Sequence, residues 1–310
     1  MQNQPLLVVV LGPTGSGKGS IEGKIKALYD LDNSVKFVPV LIDDLIEENL
    51  NYKFEINKYL SSVKEQNPSI VTNEELANYI TGTGLDESIK KFNNAYFSTR
   101  RGKTCIMGEG TMNERSMTCD AKNDEILTTA IRDGKNVIFE TTGERKFEWL
   151  FDTHKEGLES KDYNIVLAWN VVEVCELITR NANRTKQSIE EFIKNTKGDA
   201  PRLPDISPDT MFNKLTNIIN TFEKIVRECT ENCKHRIVVY DNNKRSSDII
   251  FDTNDTNKQD SGVLRKYMLP LGSVACALKP KGGKKRKTRR RKIKKVRKRN
   301  NTKRRRKQKN

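Results

Sequence analysis

The apolar run Leu6–Leu11 (LLVVVL) leads directly into Gly12-Pro13-Thr14-Gly15-Ser16-Gly17-Lys18-Gly19-Ser20. A continuous run with three valines reads as a strand buried on both faces. Ile21, Ile25 and Leu28 then recur at helical spacing. The glycine-rich stretch fits G-x-x-x-x-G-K and lies where that pattern has a physical meaning, between a strand and a helix. Glycines let successive backbone N–H groups turn inward around a polyphosphate, and the helix N-terminus favours negative charge. Residues 12–20 are therefore the nucleotide-binding candidates, with Lys18 reaching the β- and γ-phosphates of ATP or GTP. Gly19 occupies the place where most such loops put a Ser or Thr, and Ser20 follows one position later. Ser20 is the candidate Mg²⁺ contact, directly or through water.

Further apolar runs at 35–42, 136–139, 163–169 and 236–240 read as strands, and Pro39 marks the second for a bend or an edge position. The spacing of Met211, Leu215, Ile218, Phe222, Ile225 and Val226 predicts a long helix, and Val174 to Arg184 a shorter one. Strands alternating with helices predict an α/β fold with a parallel sheet; with the loop at 12–20 it resembles the three-layer sandwich of nucleotide-kinase-like P-loop NTPases. Residues 45–125 are too long for one crossover and read as a helical insertion. The Pro-, Gly- and Asp-rich stretch 196–208 reads as a mobile loop. These boundaries give a kinase-type domain over 1–255, a connector over 256–278 and a tail over 279–310.

Ligands of open α/β sheets gather at the carboxyl ends of the strands. There the sequence places Asp43 and Asp44 after the second strand, and Glu140 and Thr142 after the third. A carboxylate at this position can take a proton from an acceptor hydroxyl, and another can hold Mg²⁺ through water. A helix N-cap is the plain alternative for one of the aspartates. Glu140 follows apolar residues and needs a partner or a metal. Arg180 and Arg184 share a helix face and suit the oxygens of a transferring phosphoryl group. Arg202 is a further candidate for that task or for substrate contact. Arg100 and Arg101 are weaker ones.

Together these segments resemble the zeta toxin group of P-loop kinases. The resemblance rests on the 12–20 loop, Ile42-Asp43-Asp44, 134–142, the Arg180/Arg184 helix and Val239-Tyr240-Asp241-Asn242. The G-K-G-S variant is similar to the loop of adenylate kinase. The resemblance implies use of ATP and Mg²⁺ to phosphorylate a sugar nucleotide such as UDP-N-acetylglucosamine. It implies an aspartate base, either Asp43 or the slightly preferred Asp44, stabilisation of the phosphate by Lys18 and the arginines, and a substrate cleft at Glu140 and Thr142. The G-K-G loop makes the wider phosphotransferase superfamily the firmer assignment.

Charge is divided along the chain. Of 57 Lys and Arg residues, 21 lie in 279–310 with no acid, so the formal +16 conceals a body of 36 basic and 41 acidic residues, net −5. The tail cannot bury enough apolar surface to fold, and is expected to be disordered and to bind nucleic acid or another polyanion. It contains no aromatic residue for base stacking. The early apolar run is too short to span a bilayer, so no membrane partner is expected. Scattered cysteines imply reduced thiols in an intracellular, cytoplasmic or nuclear setting. Cys229, Cys233 and His235 fall short of a structural zinc pattern. The composition is compatible with a large DNA virus protein.

The leading expectation is a kinase moving the γ-phosphoryl to a hydroxyl or phosphate of a small nucleotide-containing acceptor. A 5′-hydroxyl polynucleotide kinase and a non-catalytic, nucleotide-dependent nucleic-acid-binding protein are the alternatives.

Overall fold

The computed structural model describes residues 4–102, 105, 117–144, 148–195, 198–205, 207–229, 235–243 and 248–268. The chain opens with β1 (Leu6–Leu11), α1 (Ile21–Leu28) and β2 (Val38–Val40). A helical stretch follows: α2 (Ile42–Glu47), α3 (Leu50–Gln66), α4 (Asn73–Ile80), α5 (Leu85–Arg101) and α6 (Cys119–Arg132). The alternation resumes with β3 (Val137–Thr141), α7 (Glu148–Ser160), β4 (Asn164–Val171), α8 (Val174–Lys194) and α9 (Pro208–Cys229). It ends in β5 (Arg236–Asp241), β6 (Asp248–Asp252) and α10 (Val263–Met268).

The sheet order is β2-β3-β1-β4-β5-β6, with the first five strands parallel and β6 antiparallel to β5. β1 is central and buried throughout, as its unbroken apolar sequence requires. Leu6, Val8 and Val10 pack with Ile21 and Ile25 of α1 on one face. On the other face Trp169 of β4 meets Phe222 of α9 edge-on, and Phe222 meets Phe251 of β6. The result is the expected three-layer α/β sandwich with a helical insertion. No helix among the described residues is long and apolar enough to cross a membrane.

The insertion carries its own core. Ile46, Tyr52, Ile56, Leu76, Ile80 and Phe92 cluster with Ile189 and Phe192 of α8. Asn49 caps α3 by accepting from the backbone N–H groups of Asn51 and Tyr52, and Thr72 with Glu75 forms a capping box on α4.

Three expectations change, and the stretch after 256 contains a described helix. β2 is only Val38–Val40, and its edge position leaves Pro39 with no ladder on one side. The stretch 196–208, read as a mobile loop, is packed where it is described. Ala200 and Leu203 are buried, the Ala200 N–H donates to the Glu47 carbonyl, and the Tyr52 hydroxyl donates to the Pro201 carbonyl. Within the expected connector, α10 docks on the body with Val263, Leu264 and Met268 buried. The cysteines described are not free thiols: Cys105 and Cys119 form a disulfide, and Cys175 is disulfide-bonded as well. Cys233 and the 279–310 tail lie outside the described residues.

Candidate active site

Parallel pairing brings the carboxyl ends of five strands side by side, and each contributes to one cleft. Gly12, Gly15 and Gly17 follow β1 at φ of 147°, 84° and 84°, conformations that L side chains rarely adopt. Gly17 caps a single 3-10 turn, Lys18–Ser20, that leads into α1. The loop is held from outside by asparagines. The side-chain amides of Asn181, Asn242 and Asn170 donate to the carbonyls of Thr14, Ser16 and Gly17 at 2.8, 2.7 and 2.8 Å. Carbonyls held outward favour N–H groups turned inward. Asn170 comes from β4, Asn181 from α8, and Asn242 follows β5.

Lys18 donates to the Gly12 carbonyl at 3.2 Å and lies 3.8 Å from the Glu140 carboxylate. Glu140 thus has the partner its semi-buried position requires. Burial lowers the Lys18 pKa, against the pull of Glu140 and Asp43 and with help from Arg202 and Arg184. Burial raises that of Glu140, with Lys18 opposing.

Asp43 and Asp44 lie in the first turn of α2, and Leu41, not an aspartate, is the N-cap. Asp43 enters the charged cluster. It accepts from the Tyr96 hydroxyl at 2.7 Å and pairs with Arg202 Nη1 at 2.5 Å. Burial pushes its carboxyl up, but Arg202, Tyr96 and Lys18 outweigh burial and hold it below the ordinary value. Asp44 is exposed, and partial burial with repulsion from Asp43 raises its pKa. Of the two aspartates, Asp43 is the one in contact with Arg202 and Tyr96.

Arg202 also donates through Nε to Glu47 at 2.5 Å, and Arg184 Nη2 stands 4.0 Å from the same carboxylate. Burial would lower the Arg202 pKa, but Asp43 and Glu47 carry it upward. A cavity of about 540 Å³ runs from Thr14 along Asn181, Arg184, Thr185 and Ser188 to Arg202. Arg180 and Arg184, four apart on α8, meet different partners. Arg180 binds Glu176 at 2.9 Å and the Asn242 carbonyl at 2.9 Å, behind the loop, while only Arg184 joins the Glu47 cluster.

Thr142 is exposed at the rim and accepts weakly from the Glu144 N–H at 3.5 Å. Arg100 donates to Asp120 at 2.8 Å, and its charge is felt at Tyr96. Ser20 is exposed, with its hydroxyl turned to the Gly17 carbonyl at 2.8 Å. Sequence reading missed Tyr96, Glu47, Lys24, Asn170 and Asn181. None belongs to a motif, although Asn170 at the end of an apolar strand was a visible anomaly.

The residues fit a nucleoside triphosphate. A Cβ at Gly15 or Gly17 would approach Asn181 or Asn242 to 2.4 or 2.2 Å, so the loop admits only glycine there. The fully buried Ser16 hydroxyl has no hydrogen-bond partner among the described residues. The hard oxygen donors of Ser20, Asp43 and Glu140 suit Mg²⁺, which is held by few protein groups alongside phosphates and water.

No family model and no curated protein sequence matches the chain. Among solved structures it is similar to one from the PezAT chromosomal toxin–antitoxin system of Streptococcus pneumoniae. That likeness has a TM-score of 0.44 and 13% identity, over 88% of this chain and 81% of that one. It is also similar to a chain of the AvrRxo1-ORF1:AvrRxo1-ORF2 complex with sulphate ions, at 0.43 and 10%, over 87% and 66%. A protein proposed to be a kinase, from Chloroflexus aurantiacus, follows at 0.29 and 10%, over 66% and 86%. Likenesses this distant carry no weight for activity. The functional reading rests on the site.

Proposed function

We propose that the chain is a P-loop kinase that transfers the γ-phosphoryl group of ATP, or GTP, to a hydroxyl or phosphate of a small nucleotide-containing acceptor. The carrying observation is the Asp43 carboxylate, set by Arg202 and Tyr96 within the field of Lys18 at the mouth of the phosphate loop. Phosphoryl transfer needs placement and charge neutralisation more than covalent help from the protein. Residues 12–20 would bind the phosphates through backbone N–H groups, with Lys18 on the β- and γ-oxygens. Ser20 and a carboxylate of Asp43 or Glu140 would hold Mg²⁺, which would supply further neutralisation of phosphate charge.

For a hydroxyl acceptor, Asp43 would orient the O–H and receive its proton as the acceptor oxygen bonds to phosphorus. The bond from phosphorus to the bridging oxygen breaks, and the nucleoside diphosphate leaves. A carboxyl held below its ordinary pKa is a weak base, which suits late proton transfer. Arg184 and Arg202 would neutralise the transferring oxygens, and Arg202 would have to share its contacts with Asp43 and Glu47. Glu140 and Thr142 would border the acceptor. Asp43→Asn is expected to lower turnover at least about 100-fold, the scale of a positioned base. ATP affinity should change less than about threefold on this reading; a loss of ATP binding with retained turnover per bound nucleotide would contradict it.

The 21 positive charges of 279–310 favour a second reading, a 5′-hydroxyl polynucleotide kinase whose tail tethers its substrate. Deleting the tail separates the two: phosphorylation of a small acceptor survives, whereas that of an oligonucleotide falls.

A further inference from the structure

Lys24, the fourth residue of α1, reaches the asparagines that hold the phosphate loop from outside. Its Nζ donates to Asn170 Oδ1 at 3.0 Å and to Asn242 Oδ1 at 3.4 Å. The opposite ends of those amides donate to the loop carbonyls of Gly17 and Ser16 at 2.8 and 2.7 Å. The ammonium also stands 4.9 Å from the centre of the Tyr240 ring. We propose that Lys24 is a positioning residue for the phosphate loop, fixing which way the Asn170 and Asn242 amides face.

An asparagine amide has nearly the same shape when turned by half a rotation, so packing alone selects its orientation poorly. Turned the wrong way, each amide would set its oxygen against a loop carbonyl and leave its nitrogen against Lys24. A lysine has donors only, so it accepts just one of the two orientations. One side chain of α1 thereby keeps two carbonyls of the preceding loop outward, and the adjoining N–H groups inward. Asn181, the third holder, does not need Lys24. Its nitrogen also donates to the Leu177 carbonyl at 2.9 Å.

Among the described residues, the charges around Lys24 are Asp241 from the end of β5, which attracts it, and Arg180 from α8, which repels it. Arg180 is itself bound to Glu176 and the Asn242 carbonyl, so α8 and the segment after β5 close the far side. Burial holds the Lys24 pKa down, to about 8. Maintaining a lysine there carries a cost, consistent with a task for its donors.

The consequence for affinity rests on the kinase reading, but the state of the loop can be read without it. Hydrogen exchange of the backbone amides of 12–20 would be measured on the ligand-free full chain, for wild type, Lys24→Met and Lys24→Arg. The expected result is exchange about tenfold faster in Lys24→Met, the loss of roughly one hydrogen bond's worth of order. Amides of α3 and α5 keep their rates, and Lys24→Arg recovers most of the protection. In an Asn242→Ala background, Lys24→Met has a smaller effect, because one of its two targets is gone. ATP affinity falls in parallel, with kcat changed less.

Unchanged exchange at 12–20 in Lys24→Met overturns the proposal. So does a uniform rise across the whole chain that Lys24→Arg does not correct, which marks a merely structural lysine. A wild-type chain that binds no ATP overturns the kinase reading instead, while the exchange comparison still decides the role of Lys24.

Discussion

Arg202 Nη1 lies 2.5 Å from Asp43 Oδ2, and the same guanidinium donates through Nε to Glu47 at 2.5 Å. A loop between α8 and α9 is thus bound to the second and last residues of a short helix at the mouth of the phosphate loop. The planar fork meets two carboxylates at once, which a lysine cannot reproduce.

Removing that fork should leave Asp43 with the Tyr96 hydroxyl and Glu47 with the 4.0 Å contact to Arg184, two part-buried carboxylates short of their main cation. Arg202→Ala is expected to destabilise the chain by about 2–3 kcal/mol, the scale of a charge-assisted, mostly buried pair. Arg202→Lys should recover only part. Urea unfolding of the three proteins checks this, and equal midpoints for wild type and Arg202→Ala would refute it.

The glycines of the loop differ in what surrounds them. At Gly17, φ is +84° and a Cβ would come within 2.2 Å of Asn242 Nδ2, whereas at Gly23 in α1 a Cβ meets nothing within 4 Å. Gly17→Ala should weaken ATP binding at least about tenfold, since left-handed backbone alone costs an L residue roughly 1–2 kcal/mol. Gly23→Ala should leave binding intact and stabilise the helix by up to about 1 kcal/mol. Calorimetric titration with ATP, paired with thermal melts, reads both.

Acid titration should separate the two site carboxylates. The Asp43 pKa is held below its ordinary 3.8, so the stability it contributes is present above 3.8 and lost as pH falls through its folded value. The Glu140 pKa is raised above 4.5, so its contribution is present below 4.5 and lost as pH rises through its folded value. Relative to wild type, Asp43→Asn should therefore become less destabilising in strong acid. Glu140→Gln should gain on wild type as pH rises from 4.5. Unfolding free energies at several pH values from 3 to 7 test the two signs, and slopes of the same sign would contradict the assignment.

The Cys105–Cys119 disulfide spans 14 residues of the chain and joins the segment after α5 to the start of α6. A closed loop of that length constrains the unfolded chain by about 3 kcal/mol. Cys119→Ser should lower unfolding stability by that order, and reductant should lower wild type by more than the variant, which keeps the Cys175 bond. Equal stability with and without reductant in wild type would show that the bond does not stabilise the fold.

Most of the sheet was legible because its strands are unbroken apolar runs, and the loop because glycine spacing and Lys18 have few other uses. Side-chain reach across the cleft was not legible. The 3.6-residue period put Arg180 and Arg184 on one face, but Asn242 captures one and Glu47 borders the other. Ala200 and Leu203 were hidden in a stretch whose Pro and Gly signal a turn, because that signal describes the backbone and not what the few apolar residues pack against. β6 escaped notice because DIIFD is short and bounded by acids. The asparagines behind the loop carry no spacing signature, since their partners are backbone carbonyls that any sequence supplies.

The central claim is most directly tested by incubating the chain with γ-labelled ATP, Mg²⁺ and a panel of UDP-sugars, nucleoside monophosphates and 5′-hydroxyl oligonucleotides, with Lys18→Ala as control. The account predicts label in a nucleotide-containing acceptor with the wild-type chain and none with Lys18→Ala. A wild-type chain that neither binds ATP nor labels any acceptor would contradict it.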